Sequence, residues 1–288
     1  MDYIKTKWLS HPLTGPILWL VLPLAAGILL ALLVPRPIVG TIYLRDAIYS
    51  YSAGDVISQL RYAYDHPEIQ SVVLVMDSPG GTVADTESVY LELIRLREKK
   101  PVVASIESMA ASGAYYLAVG TDYILARPSS EVGNVGVRTV LPSSPTVFED
   151  EVSTGPYKFY GGSRDETLRL LDPLKQSFYK AVLLGRGEAL HTTPENILSG
   201  KLFIGSEALK LGLIDALGSY SDAVEKAARM AHVWNFEAKD LRALALGEET
   251  AGSGYQFFLE AEDGSLTPYP RNSGVFYLYI PERDRRLP

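Results

Sequence analysis

A chain of 288 residues, 47% hydrophobic and 21% charged, has ordinary globular composition and enough length for one large domain or two small ones with a sizeable core. Its formal charge of -7 and pI near 5.2, with no basic cluster, exclude a nucleic-acid binder, because phosphate contacts need Lys and Arg gathered on one face. The absence of cysteine removes disulfides, thiol catalysis and thiolate metal ligation, and the four histidines, His11, His66, His191 and His232, stand in no metal-binding spacing, so neither a metal nor a cofactor is expected.

From the N-terminus, Ile17 to Val34 form an eighteen-residue run without a charge, interrupted by Pro23 and closed by Pro35-Arg36-Pro37. At 1.5 Å per residue such a helix nearly spans a bilayer core of about 30 Å, and membranes tolerate a helical proline better than water does. A cleaved leader has a shorter apolar core and ends in a small-x-small site, whereas Leu32-Leu33-Val34 precede this break, so a retained transmembrane anchor over about 17–34 is expected. Lys5, Lys7 and the terminal amine, set against Arg36 and Arg45, favour a single-pass membrane protein with its N-terminus cytoplasmic and its body extracytoplasmic. The domain plan is then an anchored N-terminal segment at 1–37, a body at 38–238 and a C-terminal part at 239–288.

Ile38 to Leu44 reads as the first strand of the body, and Ala53 to Tyr64 carries Val56, Ile57, Leu60 and Tyr64 at helical spacing before Pro67. Val72-Val73-Leu74-Val75-Met76 then leads into the turn Asp77-Ser78-Pro79-Gly80-Gly81-Thr82. A helix over Val83 to Lys99 follows, with Val89, Leu93 and Leu96 on one face and Lys99-Lys100 complementing its dipole. Val102-Val103-Ala104-Ser105-Ile106 leads into a second turn, Ser108-Met109-Ala110-Ala111-Ser112-Gly113-Ala114. Apolar runs joined in this way predict buried parallel strands with a right-handed crossover. Both turns then lie at one sheet edge, outside the carboxyl ends of the strands, where such sheets bind ligands.

Tyr123 to Ala126 is a further strand, and Leu141 to Arg164 is a loose segment rich in Pro, Ser and Gly. Asp172-Pro173 gives an N-cap with proline at the first helical position, opening a helix with Leu174, Phe178, Ala181 and Val182 on its apolar face and Gly185-Arg186-Gly187 at its end. Helical pieces at Ser206–Leu211 and Ser221–Ala231 flank a short strand, Leu213-Ile214-Asp215. Alternating strands and helices of this kind indicate an α/β domain of parallel character. Beyond Lys239 aromatic residues alternate with polar ones and Asp263-Gly264 is placed to turn a hairpin, which predicts a small β appendage.

Ser112, followed by Gly113 on a sharp strand-to-helix turn, sits where backbone N–H groups and a helix dipole favour a developing oxyanion. Read alone it is an N-cap or a small packing residue. Gly80-Gly81, at the end of the adjacent strand, would let backbone approach a substrate and present a second N–H, although alone it is an ordinary Pro-Gly turn. A serine nucleophile needs a base, and no histidine lies in a segment aimed at this edge. A lysine kept neutral by burial serves instead, because desolvation lowers its pKa by up to about 3 to 5 units. Lys158, in Gly155-Pro156-Tyr157-Lys158-Phe159-Tyr160, is the one lysine of the loose segment and is flanked by aromatics, either to exclude water or merely to be covered by a snorkelling surface lysine.

Six motifs in order carry a resemblance: Ser78-Pro79-Gly80-Gly81, Ser108 to Tyr116, Gly133-Asn134-Val135-Gly136-Val137, Gly155-Pro156-Tyr157-Lys158, Gly185-Arg186-Gly187, and Ala208 to Asp215. Together, from about Ile38 to Ala231, they resemble the signal peptide peptidase A (SppA) family. The resemblance implies a Clp-protease/crotonase-like fold and a membrane-anchored, extracytoplasmic serine endopeptidase that forms homo-oligomers and needs no cofactor. It also implies a Ser-Lys dyad of nucleophile Ser112 and general base Lys158, with oxyanion donors from Gly81 or Gly80 and from Gly113. Peptides such as released signal peptides and other unfolded or membrane-derived segments are the implied substrates. Where the family has Gly-Ser-Ile-Gly, with a serine that helps orient the lysine, this chain has Asn134, whose side-chain oxygen is able to accept a hydrogen bond in that supporting role. Phe159-Tyr160-Gly161-Gly162-Ser163 also replaces the family's Asp-x-Gly-Ser-Pro. Two rivals stand beside this reading: a non-catalytic scaffold of the same fold that binds peptides or membrane partners, and, ranked last, a crotonase-type acyl-CoA enzyme.

Overall fold

The computed structural model describes residues 14–33, 36–141, 153–155, 157–158, 161–247, 259–260, 266–267 and 275–278. It divides into two units, 1–37 and 38–288. In the first, α1 (Thr14–Leu33) is a 20-residue helix without a charged residue that continues through Pro23. Its side chains are described over 19–29, about 16 Å of helix, where Trp19, Leu20, Leu22 and Leu29 are exposed. Among the described residues no helix is long and apolar enough to cross a membrane.

The second unit begins with β1 (Ile38–Leu44), α2 (Ser50–Asp65), β2 (Ile69–Ser78), β3 (Gly80–Thr82), α3 (Val83–Arg97), β4 (Val102–Ala111) and α4 (Gly113–Ala118). There follow β5 (Tyr123–Ala126), β6 (Glu131–Gly133), β7 (Arg138–Thr139), α5 (Arg164–Arg186), α6 (Pro194–Ile197), β8 (Leu202–Ile204) and α7 (Gly205–Lys210). The last are β9 (Ala216–Leu217), α8 (Tyr220–Met230), β10 (Glu237–Asp240), α9 (Leu241–Leu246), β11 (Leu259–Glu260), β12 (Leu266–Thr267) and β13 (Val275–Leu278).

The main sheet runs β10-β1-β2-β4-β5-β9, with every neighbouring pair parallel. Its central strands are buried on both faces, as their unbroken apolar runs require. Alternate residues divide between two layers. Leu74, Met76, Ala104 and Ile106 pack in a core with Leu60, Leu93, Leu96 and Phe178 from α2, α3 and α5, while Val73, Val75, Val103 and Leu125 meet Ala223, Val224, Ala227 and Ala228 of α8. β4 is long enough to serve two neighbours: Val103–Ile106 pair with β5, and Met109–Ala111 pair with β6, whose other edge carries β8 antiparallel. That second half of β4 delivers the chain to Ser112.

Two expectations are corrected. The helix expected to open at Asp172-Pro173 opens at Ser163, whose hydroxyl accepts from the Glu166 N–H at 3.2 Å while the Glu166 carboxylate accepts from the Ser163 N–H at 2.7 Å. α5 then runs on through Pro173. The strand expected at Leu213-Ile214-Asp215 lies later, at β9; Leu213 and Ile214 are core residues, and Asp215 caps β5 by accepting from the Ile124 N–H at 2.7 Å. In the region from 239, β10 crosses that position as an edge strand of the main sheet, α9 buries Leu241, and β13 pairs with β3. β11 and β12 pair antiparallel around the expected hairpin, whose Asp263-Gly264 turn lies outside the described residues.

Candidate active site

The two glycine turns do meet at one sheet edge. Ser78, the last residue of β2, is in register with Ala110 of β4, two residues before Ser112. Ser112 is buried, with φ 55° and ψ -121°, a conformation that a non-glycine residue adopts only when its surroundings hold it there. What holds it is local: the Ser112 N–H donates to Gly133 O at 2.8 Å, and Ser112 O accepts from the Tyr116 N–H at 3.0 Å. Its hydroxyl makes no capping bond to α4. A serine on a strained strand-to-helix turn of this kind is the arrangement that presents a nucleophile at a sheet edge.

The first turn is fixed with equal care. The Ser78 hydroxyl is buried, donates to Asp46 O at 2.6 Å and accepts from the Gly80 N–H at 3.2 Å. Gly80, at φ 91°, takes a backbone conformation that side chains rarely allow. Gly81 runs so close to Ile48 that a Cβ would lie 1.9 Å from Ile48 O. Of the expected oxyanion donors, Gly80 therefore has its N–H committed to Ser78, whereas Gly81 lies in an extended strand; Gly113 begins α4 directly after Ser112. Ser78 is the positioning residue that the sequence reading passed over. Its signal was present as a serine two residues before the turn glycine, a spacing that suits a side chain accepting from the turn N–H.

Asn134 has φ 55° and is tied to the turn before β8: its N–H donates to Lys201 O at 2.7 Å and its side-chain Nδ2 to Gly200 O at 2.6 Å. It thus buttresses the Gly133 carbonyl that anchors Ser112, and no described contact joins it to Lys158. Lys158 is exposed, in a turn where its N–H donates to Gly155 O at 3.2 Å. No described hydrogen bond links its ammonium to Ser112. Tyr157 beside it is also exposed, and Phe159 and Tyr160 lie outside the described residues. The His66 ring stacks on Tyr62 at 3.7 Å, and its Nδ1 pairs with Tyr62 O; His11 lies outside the described residues.

The last two sequence motifs have a structural purpose. Arg186 Nη1 donates to both carboxylate oxygens of Asp215 at 2.9 Å, and its Nε donates to Gly212 O at 2.9 Å. The buried Tyr115 hydroxyl, whose pKa is driven up by burial, donates to Leu213 O at 2.9 Å. The end of α5, the loop before β9 and the helix that follows Ser112 are thereby locked together.

At the same sheet end, on the α8 side, lies an open polar cleft of about 380 Å³ lined by Tyr43, Arg45, Asp77, Glu107, Arg127 and Tyr220 among others. Arg127 pairs with Glu107 there. Burial, followed by the charge of Asp77, pushes the neighbouring Asp46 carboxyl up to about 6 against the pull of Arg242 and Arg45. These residues come from the ends of β1, β2 and β5, the middle of β4 and the start of α8 and share no motif, which is why spacing in the sequence does not reveal them. Among the described residues no group of His, Asp and Glu is arranged to hold a metal.

Comparison with known proteins agrees with this geometry. The profile described as Peptidase family S49 matches residues 94–234, the segment that carries Ser112, Asn134 and Lys158. Protease 4 of Salmonella typhi is 34% identical over 195 residues, which is 62% of this chain but 32% of that protein, so the chain spans about a third of that relative. Serine protease SPPA, chloroplastic, of Arabidopsis thaliana is 28% identical over 195 residues, 63% of this chain and 29% of that protein. The Synechocystis sp. protein slr0021 is 32% identical over 211 residues, 68% of this chain and 75% of that protein. With its parallel sheet, its strained serine and a relative matched over three quarters of that protein's length, the chain belongs to peptidase family S49.

Proposed function

We propose that the chain is a serine endopeptidase, with Ser112 as nucleophile, that hydrolyses released signal peptides or other unfolded, membrane-derived peptides. The single observation that carries this reading is the buried, strained Ser112 beside the Gly80-Gly81 turn. Ser112 Oγ attacks the scissile carbonyl carbon and gives up its proton to the base. The oxyanion forms facing the N–H groups of Gly81 and Gly113. The protonated base then donates to the leaving amine, and water, deprotonated by the same base, releases the acid and restores Ser112. Lys158 is proposed as that base on the strength of its motif, with the requirement that substrate or a neighbouring subunit strip water from its exposed amine. The proposal keeps the single-pass anchor expected over about 17–34 from the uncharged run in the sequence, with an extracytoplasmic body and a homo-oligomer.

A second reading is a peptide-binding scaffold of the same fold. It is favoured by the exposure of Lys158 and by the attachment of the Asn134 amide to Gly200 O. Labelling with a fluorophosphonate followed by intact mass decides between them, in wild type and in the Ser112→Ala and Lys158→Ala variants. The peptidase reading expects one adduct on wild type and none on either variant, together with a loss of about 100-fold or more in kcat/KM for Ser112→Ala. A folded wild type that takes no adduct, and peptide capture undiminished in Ser112→Ala, would leave the scaffold.

A further inference from the structure

β3 offers one free edge, and the chain itself fills it. On one side Ile48 holds the strand: its N–H donates to Gly80 O at 2.8 Å and its carbonyl accepts from the Thr82 N–H at 2.9 Å. Backbone groups of successive residues in an extended strand point to alternate sides, so the N–H and C=O of Gly81 are turned to the opposite edge. There β13 runs antiparallel, with Leu278 opposite Gly80, Tyr277 opposite Gly81 and Phe276 opposite Thr82. The other edge of β13 pairs with β7, Val275 opposite Thr139 and Phe276 opposite Arg138. A strand from near the C-terminal end of the sequence is thus inserted between the glycine turn and the segment that follows Asn134, antiparallel to both.

We propose that Val275–Leu278 is a built-in competitor for the peptide edge of the site. It takes the backbone positions against Gly81 that an extended substrate would take, and it must leave β3 before such a substrate enters; this rests on the reading of Gly81 as an oxyanion donor. Adding a strand to an exposed sheet edge is a standard mode of peptide recognition, in which main-chain bonds supply affinity. Val-Phe-Tyr-Leu has high β propensity, which suits it to that edge. The ladders it makes are short, three residues on β3 and two on β7, so the strand is displaceable. The peptides that displace it are accordingly extended segments rich in aromatic and β-branched residues. A tethered competitor acts at the effective concentration its tether sets and reduces the fraction of open sites, so it raises apparent KM and leaves kcat in place.

Two variants test this, a chain ending at residue 274 and full-length Tyr277→Pro, which loses the backbone donor opposite Gly81. The readouts are KM and kcat on an unstructured fluorogenic peptide, and deuterium uptake over 80–82, where the Gly81 amide is the one that β13 covers. The expectation is a KM lower by on the order of tenfold with kcat changed less than about twofold, and faster uptake at 80–82 in both variants. Acetylated Val-Phe-Tyr-Leu added to the shortened chain is expected to raise KM again. Unchanged KM and unchanged uptake at 80–82 in folded variants would overturn the proposal. Should no form turn over peptide or take fluorophosphonate, the peptidase reading fails by itself, and uptake at 80–82 still decides for or against the competitor.

Discussion

Ser112 is a residue placed against its own preference. A non-glycine side chain at φ 55° and ψ -121° stores strain of about 1–3 kcal/mol, and the bonds from Ser112 N–H to Gly133 O and from Tyr116 N–H to Ser112 O hold it there. Gly81 is the counterpart on the neighbouring turn, where the limit is space. Gly81→Ala would set a Cβ 1.9 Å from Ile48 O and 2.5 Å from Ile48 C, both backbone atoms, so β3 has to shift. We expect that shift to misplace the N–H proposed as an oxyanion donor and to lower kcat/KM by about 10²- to 10³-fold, measured beside thermal unfolding to separate it from loss of fold. A near-normal kcat/KM in Gly81→Ala would remove Gly81 from the oxyanion site. The turn geometry at Gly80 and Gly81 was legible because residue type carries it, through a positive φ and a missing Cβ. The exposure of Lys158 was not, because burial is a property of what surrounds a side chain.

Among the elements, α5 shows how local signals compete. Asp172-Pro173 has the form of a helix start, yet Ser163 and Glu166 satisfy the first free N–H groups reciprocally and begin the helix nine residues earlier. The Glu166 carboxylate is held below its ordinary pKa first by the hydrogen bond from the Ser163 backbone N–H. Pro173 then forfeits one intrahelical bond, and the helix continues because Phe178, Ala181, Val182 and Arg186 bury its far half. Ser163→Ala is expected to cost about 1 kcal/mol, read from the urea midpoint at constant m-value; no change in midpoint would mean that the first turns of α5 are not part of the cooperative unit. The S-x-x-E spacing was readable in the sequence, but a proline beside an aspartate outweighed it until the tertiary contacts of the later turns were known.

At the scale of the whole molecule, stability carries an acid-base signature centred on Asp46. Its carboxyl, 5% exposed as a residue, is pushed up to about 6 by burial and then by Asp77, above its ordinary 3.8. The native state therefore binds more protons than the unfolded chain between those values, so stability falls as pH rises through this window, by roughly 2–3 kcal/mol in all. Asp46→Asn is expected to be more stable than wild type by about that amount at pH 8 and to lose the advantage near pH 4, as urea unfolding at the two values would reveal. An advantage that does not depend on pH would remove Asp46 as its source.

The strands Val72–Met76 and Val102–Ile106, the two glycine turns that follow them and the parallel α/β class were determined by sequence alone, because runs of β-branched and aliphatic residues, turn glycines and hydrophobic period are local properties. The pairings of distant segments were decided only by the tertiary structure. β10 joins β1, Arg186 meets Asp215, the Asn134 amide is held at Gly200, and β13 lies along the free edge of β3. The physical reason is that a backbone donor is satisfied by any strand that reaches it. Which strand arrives at Gly81 depends on the path of the whole chain, and local residue pattern does not encode it.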